Sequence, residues 1–300
     1  MSILVVGSVA YDTIKTPYGE VQKALGGSAT YFSAAAVHLS PVKIVGVVGE
    51  DFDVSHYSFL KKRGADLSGL NKIKEGKTFH WSGEYEGDMN EARTLSTCLN
   101  VFEHFKPQLS VEHKKSKYLF LGNIDPDLQL NVLKQVENPK IIALDTMNLW
   151  IDLKLTALKK AISKVDLLIM NDKEALSFTK TDNLVMAAKM LNKLGPKAVI
   201  VKKGAHGSYM RFGKNQFSIP AYPLERVIDP TGAGDSFAGG VMGFLATNKT
   251  LTFNNLKKAM IYGTVLASFN VEAFSVTKLK NLKKSELALR YREFIKIIGV

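Results

Sequence analysis

Cysteine is nearly absent from this chain, since Cys98 is the only one in 300 residues. A single thiol excludes an intrachain disulfide and any metal site built from several cysteines, and it favours a reducing compartment. We therefore expect a cytoplasmic protein. Long apolar runs are also missing, and residues 1–12, MSILVVGSVAYD, have no basic segment before their short apolar stretch. This pattern predicts a first β-strand rather than a signal peptide, and no membrane partner.

Arginine is scarce although the formal net charge is +12, because most of the 40 basic residues are lysines. The lysines are scattered among polar and apolar residues, for example at 154–164 and 278–284, as is typical of solvated helix faces. Recognition of nucleic acids favours clustered arginine with aromatic neighbours. We expect no nucleic-acid partner, and salt-dependent DNA binding would contradict that expectation.

Hydrophobic residues make up 46% of the chain, which is enough for a large buried core. Apolar runs predict six parallel strands, at 3–7, 43–49, 118–122, 140–145, 167–171 and 198–203. Helical patterns lie between them, for example at 30–39, 55–63, 128–136 and 184–194. This alternation predicts an α/β fold with a doubly wound, mostly parallel sheet, and we interpret residues 1–300 as one domain.

Polar residues follow the predicted strands at or just beyond their carboxyl ends. Open α/β sheets place their ligands at this edge. The residues found there are Asp12, Asp51, Asn123, Asp145, Asn171 and Lys202. The sequence therefore predicts a ligand site along one edge of the sheet.

The stretch IDPTGAGDSFAGGVMGFL, residues 228–245, combines a glycine-rich turn with a helical pattern. Pro230 disfavours helix at the preceding residue, while Gly232 and Gly234 allow a tight turn before a helix begins. Unpaired N–H groups and the positive end of the helix dipole then form an anion site. Asp235 lies beside it, where a carboxylate repels phosphate unless it accepts a proton from an attacking hydroxyl. The alternative is that Asp235 only caps the helix or complements its dipole.

The run DPTGAGD, residues 229–235, followed by SFAGG, resembles the C-terminal signature of the ribokinase-like, or PfkB, family of carbohydrate and nucleoside kinases. The resemblance implies a ribokinase-like fold and makes Asp235 the catalytic base. It also implies that the backbone of Gly232, Ala233 and Gly234 forms the anion hole for the transferred phosphoryl group.

A second glycine pair, Gly26 and Gly27, precedes a helical pattern and could hold phosphate or hydroxyl groups. The resemblance implies that these glycines let the acceptor approach the backbone and that Asp12, in GSVAYD, holds acceptor hydroxyls. We assign Asn123 to the same substrate pocket from its place at a strand end. The family usually has Asn four residues after the second glycine, where this chain has Tyr31.

The motif NDKE, residues 171–174, is by itself a helix-capping arrangement. Together with the other motifs of this chain, it resembles the family motif that positions Mg²⁺ and the phosphates. The resemblance places Asn171 near the nucleotide and has Glu174 act on Mg²⁺ through water. The resemblance further implies a monovalent cation, K⁺, near Asp229. ATP and Mg²⁺ are thus the expected cofactors, and K⁺ is an additional one.

The segment VKKGAHG, residues 201–207, resembles the family's strand-to-turn segment along the nucleotide phosphates. The resemblance implies that Gly204 and Gly207 allow close approach of the nucleotide. Lys202 is also assigned to nucleotide binding, at a position where threonine is common in the family.

Residues 78–85, TFHWSGEY, alternate, with Phe79, Trp81 and Tyr85 on one face. A second strand over 93–102 is expected to place Leu95, Leu99 and Val101 on one face. Two antiparallel strands outside a parallel core form either an ordinary edge hairpin or a lid.

The family resemblance favours a lid, built here from about residues 11–25 and 72–103. Such a lid covers the sugar and often pairs with the lid of a second subunit. An exposed apolar face needs a cover. We expect a homodimer through the lid, and the alternative is a monomer whose lid closes over the acceptor.

These observations predict an ATP-dependent kinase that phosphorylates a hydroxyl, expected to be a CH₂OH group, on a small-molecule sugar or nucleoside. A catalytically idle sugar- or nucleotide-binding regulatory protein on the same fold is the alternative, because a fold does not fix a function. The intact base and anion hole argue against that alternative.

Overall fold

The computed structural model describes residues 2–299. Within this range the strands are β1 Ile3–Val6, β2 Ala10–Thr16, β3 Gly19–Gly26, β4 Val42–Val48, β5 Asp66–Lys72, β6 Phe79–Tyr85, β7 Ala92–Cys98, β8 Tyr118–Leu121, β9 Ile141–Leu144, β10 Leu167–Asn171, β11 Ala198–Lys202, β12 Ser208–Phe212 and β13 Asn215–Ile219.

The α-helices of the same range are α1 Ser28–Ala36, α2 Ser58–Lys62, α3 Val111–Lys114, α4 Pro126–Gln135, α5 Asn148–Leu153, α6 Leu155–Ile162, α7 Asp172–Thr179, α8 Leu184–Asn192, α9 Ala233–Asn248, α10 Phe253–Asn270, α11 Thr277–Asn281 and α12 Lys284–Ile298. Short 3₁₀ turns lie at Val54–Tyr57, Asn100–His104 and Gly204–His206.

Nine strands form the main sheet, in the order β13-β12-β11-β10-β9-β8-β1-β4-β5. Neighbouring strands from β11 to β5 are parallel, whereas β12 and β13 continue the sheet as an antiparallel edge hairpin. The doubly wound, mostly parallel sheet is therefore confirmed. The helix expected over 55–63 is divided into a 3₁₀ turn and the short helix α2.

The parallel strands are apolar throughout because both of their faces are buried. In β1, Ile3 and Val5 pack with α1, α9 and α10 on one side of the sheet. Leu4 and Val6 pack on the other side, with α4, α6, α7 and α8. Successive residues of a strand point to opposite faces, so one apolar run supplies both cores.

Glycines fix the position of α9 over the sheet. A Cβ on Gly240 would lie 2.7 Å from Gly263 Cα in α10, and a Cβ on Gly239 would overlap the carbonyl oxygen of Phe32 in α1. The missing side chains let the three helices pack closely, which holds the first turn of α9 at the carboxyl ends of the strands.

A second sheet of four strands, in the order β3-β2-β6-β7, lies outside the main sheet. One face carries Ile14 and Tyr85, which form a small buried cluster with Met89, in the turn after β6, and with partly buried Trp81. That cluster continues onto Val227, which lies just before the glycine-rich turn, and onto Phe274, which follows α10. The apolar face is thus turned toward the ligand edge of the main sheet.

The other face of the second sheet is polar. Glu84 accepts from Lys15 at 3.1 Å and from Arg93 at 2.7 Å. The hydroxyl of Thr13 lies 2.9 Å from His80 Nε2. These groups are compatible with water, so the polar face needs no cover.

The expected strand over 93–102 is wrong in its second half. Strand β7 ends at Cys98, and a register shift opposite Ser82 and Gly83 leaves Leu95 as an extra residue, as in a β-bulge. Leu99 and Val101 lie beyond the strand, so the three residues do not share one strand face. A bulge changes the alternation that the sequence pattern assumes.

Within residues 2–299, no helix is both long enough and apolar enough to cross a bilayer.

Candidate functional site

The glycine-rich turn is held by the side chain of Asp229, which is fully buried. Its two carboxylate oxygens accept hydrogen bonds from the backbone N–H groups of Thr231, at 2.9 Å, and Ser275, at 3.0 Å. Asn270 donates from Nδ2 to the carbonyl oxygen of Thr231 at 2.8 Å. These bonds fix the turn against the C-terminal end of α10.

Backbone N–H groups of the turn are left without partners. Ala233 donates to the carbonyl oxygen of Pro230, at 3.1 Å, and Ser236 donates to that of Gly232, at 2.9 Å. In the described range, the N–H groups of Gly232, Gly234 and Asp235 have no hydrogen-bond acceptor. Three free donors at the first turn of a sixteen-residue helix are an arrangement that can bind an anion, as the sequence predicts.

Gly232 takes a left-handed conformation, with φ 71°, and caps α9. The ring of Tyr31 lies directly against it, so that a Cβ on Gly232 would overlap Tyr31 Cγ. Tyr31 is 1% exposed. The large residue at the position of the family's usual Asn therefore packs underneath the predicted anion hole.

Asp235 is partly exposed in the first turn of α9, beside the free N–H groups. Its removal from water and the nearby charge of Asp145 raise its pKa to about 8, while Lys202 opposes this rise. A carboxylate with a raised pKa is a stronger base than an ordinary one, which suits it to accept a proton from a hydroxyl. Its predicted role as general base stays a prediction.

Lys202 ends β11 and donates to Asp145 Oδ2, at 2.7 Å, beyond the end of β9. The ammonium also lies against the anion site, because a Cβ on Gly234 would be 2.9 Å from Lys202 Nζ. Burial opposes the charge of Lys202, but Asp145, Glu174 and Asp235 raise its pKa, so that it stays protonated. The strand-end pattern placed both residues at this edge, but it gave no signal for their ion pair.

The predicted acceptor residues lie on the lid side of the turn. Asp12 is buried in β2, and its carboxylate occupies the space where a Cβ on Gly26 would be. The hydroxyl of Tyr31 donates to Asp12 Oδ2 at 3.4 Å. Burial and the charge of Asp229 raise the pKa of Asp12 to about 7. At Gly27, φ is 90°, and a Cβ there would lie 2.5 Å from the carbonyl oxygen of Ser8.

The second sheet reaches this site directly. Thr231 Oγ1 donates to the hydroxyl of Tyr85 at 3.2 Å, which connects β6 to the glycine-rich turn. At the tip between β6 and β7, Glu91 forms an ion pair with Lys173 of α7. Asn90 of the same tip lies beside Gly204. None of these contacts was predicted from the sequence, because they join segments far apart in the chain.

Asn123 follows β8, as the strand pattern indicated, but its side chain is held by neighbours. Its Oδ1 accepts from the indole of Trp150 at 2.9 Å, and its Nδ2 donates to Met147 Sδ at 3.0 Å. A ligand would have to share or replace these partners.

Asn171 and Glu174 form the capping box that the motif alone suggested. Asn171 Oδ1 accepts from the N–H of Glu174 at 2.8 Å, and Glu174 accepts in return from Asn171 N, at 2.7 Å, and Nδ2, at 2.8 Å. Burial raises the pKa of Glu174 to about 8, an effect that Lys202 opposes. The box fixes both side chains at the end of β10.

Gly204 and Gly207 form the turn after β11, with φ of 52° and 81°. A Cβ on Gly207 would overlap the carbonyl oxygen of Ile219, so this position requires glycine. The turn brings backbone close to the ends of β10 and β11.

Comparison with known families gives one match over most of the chain. The profile of the family described as "pfkB family carbohydrate kinase" matches residues 1–282.

Comparison with individual proteins gives the same class of enzyme. The cytidine kinase of Thermococcus kodakarensis is 27% identical over 259 residues, which cover 84% of this chain and 91% of that protein. The ribokinase structure from Giardia lamblia aligns with a TM-score of 0.81 at 19% identity, over 98% of this chain and 99% of the other. A nucleoside kinase from Burkholderia thailandensis, solved in complex with ADP-inosine, aligns with a TM-score of 0.80 at 17% identity, over 98% and 96%.

Proposed function

The chain belongs to the pfkB family of carbohydrate kinases, and from this we propose that it transfers the γ-phosphoryl group of ATP to a CH₂OH group of a nucleoside. The observation that carries the proposal is the first turn of α9. There, three free backbone N–H groups and the carboxylate of Asp235 lie in one turn. Phosphoryl transfer to an alcohol needs this combination of an anion site and a base.

In the proposed reaction, Asp235 accepts the proton of the attacking hydroxyl. The N–H groups of Gly232, Gly234 and Asp235 donate to the oxygens of the transferred phosphoryl group. Asp12, whose carboxylate lies in the space that the missing side chain of Gly26 leaves, binds a hydroxyl of the acceptor from the opposite side. The lid, residues 11–25 and 72–103 in our proposal, excludes water when Tyr85 and Thr231 are in contact.

A nucleoside is favoured over a free sugar by the lining of the site. Trp81, Tyr85 and Phe274 belong to the apolar cluster of the second sheet, which in our proposal borders the acceptor. A nucleobase can stack on such groups, whereas a sugar alone offers mainly hydroxyls. The name of the Thermococcus relative, a cytidine kinase, points the same way. A free sugar such as ribose or fructose is the second candidate.

ATP is proposed to lie along the ends of β10 and β11, near Asn171, Lys202, Gly204 and Gly207. Carboxylate and amide oxygens suit Mg²⁺, and Glu174 and Asn171 present them at the right edge of the sheet. Bound there with ATP, Mg²⁺ would neutralise charge on the β- and γ-phosphates.

A K⁺ site near Asp229 is also proposed. The carboxylate of Asp229 is fully buried, and the amide oxygen Oδ1 of the neighbouring Asn270 is buried without a partner in the described range. An unpaired buried oxygen beside a buried carboxylate fits a hard monovalent cation.

The proposal is tested by incubating the purified protein with ATP, Mg²⁺ and one acceptor at a time: cytidine, inosine, adenosine, ribose or fructose. We expect ADP and a phosphorylated nucleoside to form in equal amounts. Turnover of the sugars alone would replace the nucleoside by the second candidate. If ATP and an acceptor bind but no ADP forms with any acceptor, the chain is a binding protein on a kinase fold.

We also propose a homodimer through the edge strand β7, where Leu95 is 50% exposed and Leu99 just beyond it is 41% exposed. We expect sedimentation of the wild type as a dimer, and of a Leu95→Lys, Leu99→Lys variant as a monomer, because two charges on each side oppose pairing of the edges. Leu153→Lys, at a distant exposed site, is the control. A monomeric wild type, or a dimeric double variant, removes β7 from the interface.

A further inference from the structure

The ammonium of Lys202 lies between Asp145, beyond the end of β9, and Gly234 of the glycine-rich turn. The side chain of Lys202 is 17% exposed and that of its partner Asp145 is 5% exposed. Asp145 is held in turn by the backbone N–H of Thr146, which donates to Oδ1 at 2.8 Å. The ion pair is therefore built into the ends of β9 and β11 and does not depend on flexible surface side chains.

The ammonium of Lys202 has unused donors that are close to the anion site. A lysine ammonium has three N–H bonds, and within residues 2–299 its one hydrogen-bond acceptor is Asp145 Oδ2. A Cβ on Gly234 would lie 2.9 Å from Nζ, so the ammonium and the free N–H of Gly234 border the same space. An anion in that space meets backbone N–H groups on one side and Lys202 on the other.

We propose that Lys202 is a further catalytic residue, whose ammonium contacts the phosphoryl group during its transfer while remaining bonded to Asp145. This inference rests on the proposed function. In the step, the acceptor oxygen bonds to the γ-phosphorus as the bond to the bridging oxygen of ATP breaks, and ADP leaves. Asp235 takes the hydroxyl proton, and Lys202 keeps its own protons throughout. Its positive charge offsets negative charge on the transferred group.

The positive charge of Lys202 also lowers the pKa of Asp235, the proposed base. The groups that face Asp235 from the surrounding elements are Asp145, Lys202, Asp12 and Glu174. Of these, Lys202 is the only cation, and it lowers the pKa of Asp235 while the three acids raise it. Removing Lys202 therefore makes Asp235 harder to ionise.

The test is Lys202→Met, which keeps the length of the side chain and removes its charge. We expect kcat and kcat/KM for the nucleoside to fall together by about 10²–10³, as for loss of one donor to a developing charge. The acid limb of the kcat/KM profile should move to higher pH. The matched control is Lys197→Met, at the other end of β11, where Lys197 pairs with Asp166 at 2.8 Å. That variant should keep the wild-type rate and profile.

A structural role for Lys202 gives a different result. If it only neutralises Asp145, a Lys202→Met, Asp145→Asn variant should regain the wild-type rate, because both buried charges are gone and Asn still accepts from Thr146. We expect the double variant to fold and to stay slow. Recovery of turnover, or an unchanged rate in Lys202→Met, overturns the inference. Failure of the wild type to phosphorylate any acceptor instead overturns the proposed function.

Discussion

Replacement of Asp235 by Asn is expected to lower kcat by about 10²–10⁴, because the variant keeps the shape of the side chain but cannot accept the hydroxyl proton. Binding of ATP should change little, since the N–H groups of Gly232 and Gly234 remain. The measurement is steady-state turnover with the best acceptor, together with ATP affinity by calorimetry. Asp127→Asn, in the first turn of α4, is the control for an acid at another helix N-terminus, where the carboxylate accepts from Lys154 at 2.7 Å. Wild-type turnover by Asp235→Asn would contradict the assignment of the base.

The raised pKa of Asp235 makes this prediction testable by pH. The base must be ionised to act, so kcat/KM of the wild type should fall as pH decreases below about 8. The profile of kcat/KM reports ionisations of the free enzyme. An acid limb centred near pH 4 would show that the rate depends on an ordinary carboxylate.

As pH rises, the stability of the folded protein should decrease while its activity increases. The pKa of Asp235 is about 8 in the folded chain and 3.8 in its ordinary state, so between these values the native protein binds the extra proton. The free energy of unfolding therefore decreases as pH rises through this window. Asp235→Asn has no carboxyl group to ionise, so this decrease should be absent from the variant. Its melting temperature should therefore exceed the wild-type value more at pH 8 than at pH 5. Functional sites commonly show such a conflict between stability and activity.

The fold was largely predictable because its signal is local. Each central strand is an apolar run followed by a polar residue, and both features come from the burial of the strand and the exposure of its end. The glycine-rich turn was also predictable, since Gly232 and Gly234 followed by Asp235 specify a helix N-terminus without reference to the rest of the chain.

What could not be predicted depends on which distant segments meet. The ion pair joins Lys202 to Asp145, which are 57 positions apart in the chain. The register shift that displaces Leu95 depends on pairing with β6, and a period-two pattern contains no information on a bulge. The polar and apolar sides of the second sheet could be read from β6, but the direction of the apolar side could not.

The contacts of Tyr31 also join distant segments, so they could not be predicted from the sequence. Its departure from the family's Asn was visible in the sequence, and by itself it indicated only a change in acceptor contacts. The structure adds that the ring packs on Gly232 and that the hydroxyl donates to Asp12. Tyr31 therefore connects the proposed anion site with the proposed acceptor site, and its ring restricts what can stand at Gly232.

Gly232→Ala is expected to damage both stability and turnover. The left-handed conformation costs a non-glycine residue about 1–2 kcal/mol, and the overlap with the buried ring of Tyr31 adds an overpacking cost of about 1–3 kcal/mol. Movement of the turn by about 1 Å would misplace the donors and lower kcat by about 10². Urea unfolding and steady-state kinetics measure the two effects.

Gly213→Ala separates the two causes of that damage. Gly213 has φ of 58° and no atom within 4 Å of an added Cβ, so this variant has the backbone strain without the overlap. We expect it to lose only about 1–2 kcal/mol and to keep full turnover. In a Tyr31→Asn background, Gly232→Ala should cost only the backbone strain, because the smaller side chain removes the overlap. Equal losses in Gly232→Ala and Gly213→Ala would mean that the ring of Tyr31 does not constrain the turn, and the link between the acceptor side and the anion site would then be absent.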